Sequence, residues 1–197
     1  MISARTPLQL HLANWNNCTR CSYHKTRNRV VIGRGKLPCD ILIIGEAPGD
    51  AEDVNGQPFI GEAGRLLDEI IAKAVPEQFK FAMTNIVGCL PCDEEGRKDG
   101  EPELDSIKAC SPRVQEFFAL AKPKLLVCVG KVATTWLDQG FQGSIQLPEV
   151  PTISIIHPAA ILRANFAQRS LLCQRAVVTL SVAIEKYLLK EESPFSF

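Results

Sequence analysis

The stretch ILIIGEAPGDAEDVNGQPFIGEAG, residues 41–64, decides the fold. Residues 41–44 are a short apolar run, rich in β-branched side chains and bounded by turn formers, which predicts a buried strand. The chain must then turn. Gly45, Gly49, Gly56, Gly61 and Gly64, with Pro48 and Pro58, supply unusual backbone angles and close approach. Leu66, Leu67, Ile70 and Ile71 restart at helical spacing and predict a helix over about residues 63–74. The loop therefore sits at the carboxyl end of a strand, the edge at which open α/β sheets bind ligands. A dinucleotide fingerprint would need G-x-G-x-x-G, which GEAPGD does not match. The competing reading is a Gly/Pro loop with a purely structural role.

Outward from this stretch, strand and helix signals alternate. Residues 81–87 (FAMTNIV), 125–129 (LLVCV) and 153–156 (ISII) read as strands, and residues 107–121, 131–137 and 168–189 as helices. The polar run CDEEGRKDGEPELD reads as an exposed loop, and the tail KEESPFSF, residues 190–197, as frayed and flexible. Such alternation implies a parallel sheet covered on both faces, a three-layer α/β/α sandwich. A chain of 197 residues, 46% of them hydrophobic, suits one domain over residues 1–197, opened by a basic arm over residues 1–40. If the strands are parallel, the loops carrying Glu46, Asn85 and His157 share one edge and one pocket.

The formal net charge is zero, so no global field announces a nucleic-acid partner. Locally the charges segregate. Residues 18–36 carry Arg20, Lys25, Arg27, Arg29, Arg34 and Lys36 with no acid, and residues 150–184 carry Arg163, Arg169 and Arg175 with none. That pattern fits a basic face for a polyanion as well as it fits an ordinary solvated surface. The first residues lack the apolar core of a signal peptide, and no run reaches the roughly 18 apolar residues of a membrane span. The expectation is a soluble intracellular protein, cytoplasmic or nucleoid-associated, with no membrane partner. In a reducing compartment, eight cysteines argue for metal or cluster ligation, or plain burial, before disulfides. Cys18 and Cys21 form a C-x-x-C pair that can grip one metal centre, with Cys89, Cys92 and Cys110 available as further ligands. Cys39, Cys128 and Cys173 read as small hydrophobes. Spacing leaves zinc, an iron–sulfur cluster and a redox pair all open.

GEAPGDAED followed by QPFIGEAG, then TNIVGC, then HPAAILR, resemble in order the motifs of the family 4 uracil-DNA glycosylases. The likeness spans residues 18–163, most of the chain. It implies a sandwich around a central four-stranded parallel sheet and a [4Fe-4S] cluster held by Cys18, Cys21, Cys89 and Cys110, with Cys92 the alternative ligand if the polar loop folds differently. It implies a monomer that acts on uracil-containing DNA, releasing uracil and leaving an abasic site. Phe59 becomes the aromatic floor under the flipped base, and Asn85 the amide that pairs with uracil O4 and N3–H together. His157 donates to the anion developing on uracil O2. Glu46 orients or deprotonates the attacking water. Ala47 lines the substrate site where better-known uracil glycosylases carry an Asp. Glu52 guards the C5 edge against the methyl group of thymine. Ile161 or Leu162 fills the space vacated by the base, and Arg163 meets phosphate. Residues 90–109 contain no His, so covalent trapping of DNA is not expected, and no Lys lies in the three motifs to form a Schiff base. Two other readings share the motifs: a non-catalytic iron–sulfur DNA-binding module, and a glycosylase for another deaminated base such as hypoxanthine.

Overall fold

The computed structural model describes residues 6–93, 95–96, 100–138 and 147–189. The frayed tail expected at residues 190–197 lies outside them. Along the chain run α1 (Pro7–Trp15), a 3-10 turn (Ser22–Lys25), β1 (Arg34–Gly35), β2 (Ile41–Gly45), α2 (Asp50–Asn55), α3 (Glu62–Ala74), β3 (Phe81–Asn85), α4 (Leu104–Ala121), β4 (Leu125–Val129), α5 (Lys131–Asp138), β5 (Thr152–Ile155), α6 (Pro158–Arg163) and α7 (Phe166–Ile184). A π-helical turn, Glu185–Leu189, extends α7 where one continuous helix was expected.

The sheet has the order β1-β3-β2-β4-β5. β3, β2, β4 and β5 are mutually parallel, as expected, with Ile41 opposite both Phe81 and Leu125. The sheet is mixed rather than purely parallel, because β1 adds a fifth, antiparallel strand beside β3. Two residues of this length carry no periodic signal, which is why the sequence hides it.

Period-two alternation builds the two faces. Ile41 and Ile43 of β2, with Leu125, Val127 and Val129 of β4, enter a core shared with Leu67, Ile70 and Ile71 of α3, Ile161 of α6 and Leu180 of α7. Leu42 and Ile44, with Leu126 and Cys128, face the other way, onto Trp15 of α1, Val114, Phe117 and Phe118 of α4, and Ala133 and Trp136 of α5. Each such side chain contributes about 1.5–3 kcal/mol when fully buried. Two cores on one sheet make the three layers.

The arm is not irregular throughout. Thr6 caps α1 in a capping box with Gln9, and Trp15 Nε1 donates to Glu116 on α4 at 2.7 Å. Cys39 and Cys128 are buried, as their apolar reading required. Among the described residues no helix is long and apolar enough to cross a membrane.

α3 after β2 lies on one face and α5 after β4 lies on the other. The chain reverses its direction of travel across the sheet between those two strands, the switch point at whose carboxyl ends open α/β sheets bind ligands.

Candidate active site

β2 ends on Gly45, directly opposite Asn85 at the end of β3. The ladder continues one step further, with Ile86 N–H donating to Gly45 O at 2.9 Å and Val87 N–H to Glu46 O at 3.0 Å. The absence of a side chain at Gly45 is a requirement. A methyl there would stand 2.5 Å from Asn85 Oδ1 and closer still to Phe59 Cζ. The aromatic ring and the amide therefore meet over one glycine, and Asn85 is buried there.

Phe59 adopts φ +57°, a left-handed backbone that costs a bulky residue roughly 1–2 kcal/mol. Two side chains hold it there. Arg34 donates through Nε to Pro58 O (2.9 Å) and through Nη2 to Phe59 O (3.2 Å), and is itself fixed by Asp68 at 2.6 Å. From the other side, Glu52 Oε1 accepts the N–H groups of Ile60 and Gly61, each at 2.9 Å, while its Oε2 accepts Gly49 N–H at 3.1 Å. Gly64 lets α3 seat directly beneath the Phe59 backbone, since a methyl there would collide with it.

These bonds give Glu52 a structural role beside the one expected of it at the base edge. Both oxygens of buried Glu52 accept from the loop's own backbone, so Glu52 holds the loop in shape. Asp53, more deeply buried, accepts from the backbone and side chain of Asn28 and ties the arm to the same loop. Ala47, partly buried, turns its methyl into the core on the α4 face.

Glu46 is half-buried just past β2. Burial pushes its carboxyl above the ordinary range, and the negative charge of Glu101 adds to the shift. His157 caps α6, its ring packed over Gly130 at the end of β4, the strand beside β2. Burial holds the imidazole below its usual pKa, helped by the positive charge of Arg163, so the ring is neutral near pH 7. Its Nδ1 accepts Ala159 N–H at 3.1 Å, which leaves the single ring proton on Nε2 as a donor.

α6 separates the three residues expected to grip DNA. Ile161 is fully buried between α3 and α7 and cannot serve as a wedge in this arrangement, a correction that follows from the helical turn of HPAAILR. Leu162 is half-buried and Arg163 is exposed. Phe166, at the start of α7, is 92% exposed and went unnoticed in the sequence, where an aromatic in a helical pattern reads as core. A groove of about 690 Å³ runs beside His157 between α5, β5 and α7, rimmed by Lys131 and Arg175. In the basic arm several charges are engaged by the protein itself. Arg34 clamps the floor, Arg20 stacks over Trp15 at 4.5 Å, and Arg27 points at Cys89 Sγ at 3.6 Å.

Cys18, Cys21, Cys89 and Cys110 line one small cavity on the α4 face, whereas buried Cys92 does not. Among the described residues, no group of three or more His, Cys, Asp or Glu side chains is arranged to hold a single metal ion. Four sulfurs around one cavity fit a larger group bound through thiolates. Donors already point at them, since Gly88 N–H reaches Cys110 Sγ at 3.3 Å and Arg113 Nε reaches it at 3.2 Å. Burial pushes the Cys89 thiol up to about 12, so a bound cationic centre is what would ionise it.

A buried ring, a buried amide and a neutral imidazole with a free Nε2–H thus stand at the carboxyl edge of the parallel strands. The chain belongs to the uracil DNA glycosylase superfamily, whose model matches residues 32–181. It is 30% identical to the type-4 uracil-DNA glycosylase of Pyrobaculum aerophilum over 75% of this chain and 80% of that one. The type-4 enzyme of Thermotoga maritima is 30% identical over 74% and 78% of the two chains, and that of Archaeoglobus fulgidus 31% over 74% and 78%. Within the superfamily the chain therefore falls among the type-4 proteins.

Proposed function

We propose that this protein hydrolyses the N-glycosidic bond of deoxyuridine in DNA, releasing uracil and leaving an abasic site. The observation that carries the reading is the meeting of Phe59 and Asn85 over Gly45, with Glu46 directly after the same strand and His157 beside Gly130 at the end of the neighbouring β4. A base extruded from the stack lies on Phe59. Asn85 donates to O4 and accepts from N3–H, while cytosine presents the reverse pattern and leaves buried groups unpaired. Selection against the wrong base follows from that mismatch.

As the bond to C1′ breaks, its electron pair leaves with the base and charge gathers on O2. The Nε2–H of neutral His157 donates to that oxygen. Removing one such donor from a preorganised site typically costs about 10²–10³ in rate. Glu46 accepts the proton of the water that adds to C1′, and in its ionised form it also favours the positive sugar. Because Ala47 supplies no second carboxylate, this work falls to Glu46 alone. Leu162 and Arg163 contact the DNA beside the flipped nucleotide, and the groove rimmed by Lys131 and Arg175 receives the flanking backbone. One chain supplies every residue named, so a monomer suffices.

Cys18, Cys21, Cys89 and Cys110 would hold a [4Fe-4S] cluster. When bound, it would supply a covalent staple that joins the arm, the loop after β3 and the first half of α4.

The test is a single-turnover assay on a uracil-containing oligonucleotide, scored by alkaline cleavage, for the wild type and Asn85→Ala. Release by the wild type with a loss of 10-fold or more in the variant supports the reading. DNA binding without release by the wild type would replace it with a non-catalytic module, and faster release of hypoxanthine would reassign the base.

A further inference from the structure

Arg113 lies on α4 one turn beyond Cys110, on the same face of the helix, and its side chain is fully buried. All five of its N–H groups are used. Nε donates to Cys110 Sγ at 3.2 Å. Nη1 donates to Ile32 O at 3.1 Å and Thr84 Oγ1 at 3.0 Å. Nη2 donates to the carbonyl oxygens of Asn85 and Ile86. None of these acceptors is a carboxylate, so nothing among them neutralises the guanidinium.

A permanent charge is costly to bury without a counter-charge. Four cysteine thiolates around an iron–sulfur core make a net anionic centre, and the donor nearest to one of those sulfurs is Arg113. The same planar fork grips the backbone of the residue that reads the base. We propose that Arg113 is a positioning residue that couples the cysteine-bound centre to the Asn85 amide, so that the filled site fixes the end of β3 in the geometry that selects uracil. This inference rests on the iron–sulfur reading of the four cysteines given above. Thr84, which accepts from Arg113 and donates to Ile32 O at 2.6 Å, and Gly88, whose N–H meets Cys110 Sγ, extend the link to both sides of Asn85.

The test uses iron-loaded Arg113→Lys and Arg113→Gln, selected by iron content, visible absorption and circular dichroism. Lysine keeps the charge but loses the fork that spans sulfur and carbonyl. Glutamine loses both. In Arg113→Lys, single-turnover uracil release should fall at least tenfold while affinity for abasic-site DNA stays within threefold, and amide exchange over residues 84–88 should rise. In Arg113→Gln the reduction potential of the cluster should also fall, because a positive charge and a donor to sulfur are gone. A merely structural plug would lower stability and leave the potential unmoved. Wild-type release and exchange in iron-loaded Arg113→Lys would overturn the coupling while leaving the cluster reading intact. Should the variants not fold, chelation of iron from the wild type decides: a rise in exchange at residues 84–88 larger than at residues 125–129 supports the coupling, and equal exchange overturns it. Full uracil release by wild-type protein that contains no iron would remove both the cluster reading and the coupling.

Discussion

Gly45→Ala tests the site at its narrowest point. The added methyl would lie 2.5 Å from Asn85 Oδ1 and closer to Phe59 Cζ, whereas ordinary contact begins at 3.4 Å. Each neighbour must retreat by roughly 1 Å within a close-packed interior. Phe59 is held in a left-handed backbone by Arg34 and Glu52, and Asn85 is anchored through its carbonyl to Arg113. Overpacking of this kind costs about 1–3 kcal/mol of stability. A 1 Å misplacement of positioning groups costs about 10²-fold in the chemical step. The assay is single-turnover uracil release at saturating enzyme, with denaturant unfolding of the same preparations. We expect a fall of about 100-fold in rate with the protein still folded. A rate within threefold of the wild type would refute the argument that Phe59 and Asn85 share one site above Gly45.

Three further outcomes follow from the same geometry. Because burial raises the Glu46 pKa in the folded state, the ionised form destabilises the fold: Glu46→Gln should raise the melting temperature at pH 7, with the gain disappearing below about pH 4, where the carboxyl is protonated folded and unfolded alike. A melting difference that ignores pH would contradict that account, and release by the wild type should weaken on acidification through the raised Glu46 pKa, before an ordinary Glu would titrate. Glu52→Ala strands three backbone N–H groups and should cost about 2–4 kcal/mol in denaturant unfolding without admitting thymine; thymine release would establish a role for Glu52 at the base edge. His157→Asn keeps a capping side chain for α6 but removes the Nε2 donor, so release should fall about 10²–10³-fold in a protein of near-native stability, and an unchanged rate would exclude His157 from the chemistry.

Much of this was legible in the residues. Apolar runs of period two and helical spacing of 3.6 fix the strands and their covering helices, because burying those faces is the dominant favourable term. Gly45, Phe59, Asn85 and His157 lie at strand ends or in the loops after them, so sequence order alone assigns them to one edge of a parallel sheet. The tertiary structure decided what each neighbouring polar side chain does. Glu52 and Arg34 resemble any exposed charges in a polar loop, yet they clamp the backbone around Phe59, since hydrogen-bond partners distant along the chain leave no local pattern. Ile161 and Phe166 are both apolar residues shortly after His157 in sequence, and only the packing of α6 and α7 buries the first and leaves the second exposed at the start of α7. Arg113 reads as a surface charge beside a proline. Packing α4 against β3 makes it a fully buried fork between a cysteine sulfur and the base reader, a position defined by residues up to 81 apart in the chain. Local spacing records which faces must be buried, whereas the partners of a buried charge are set by the global fold.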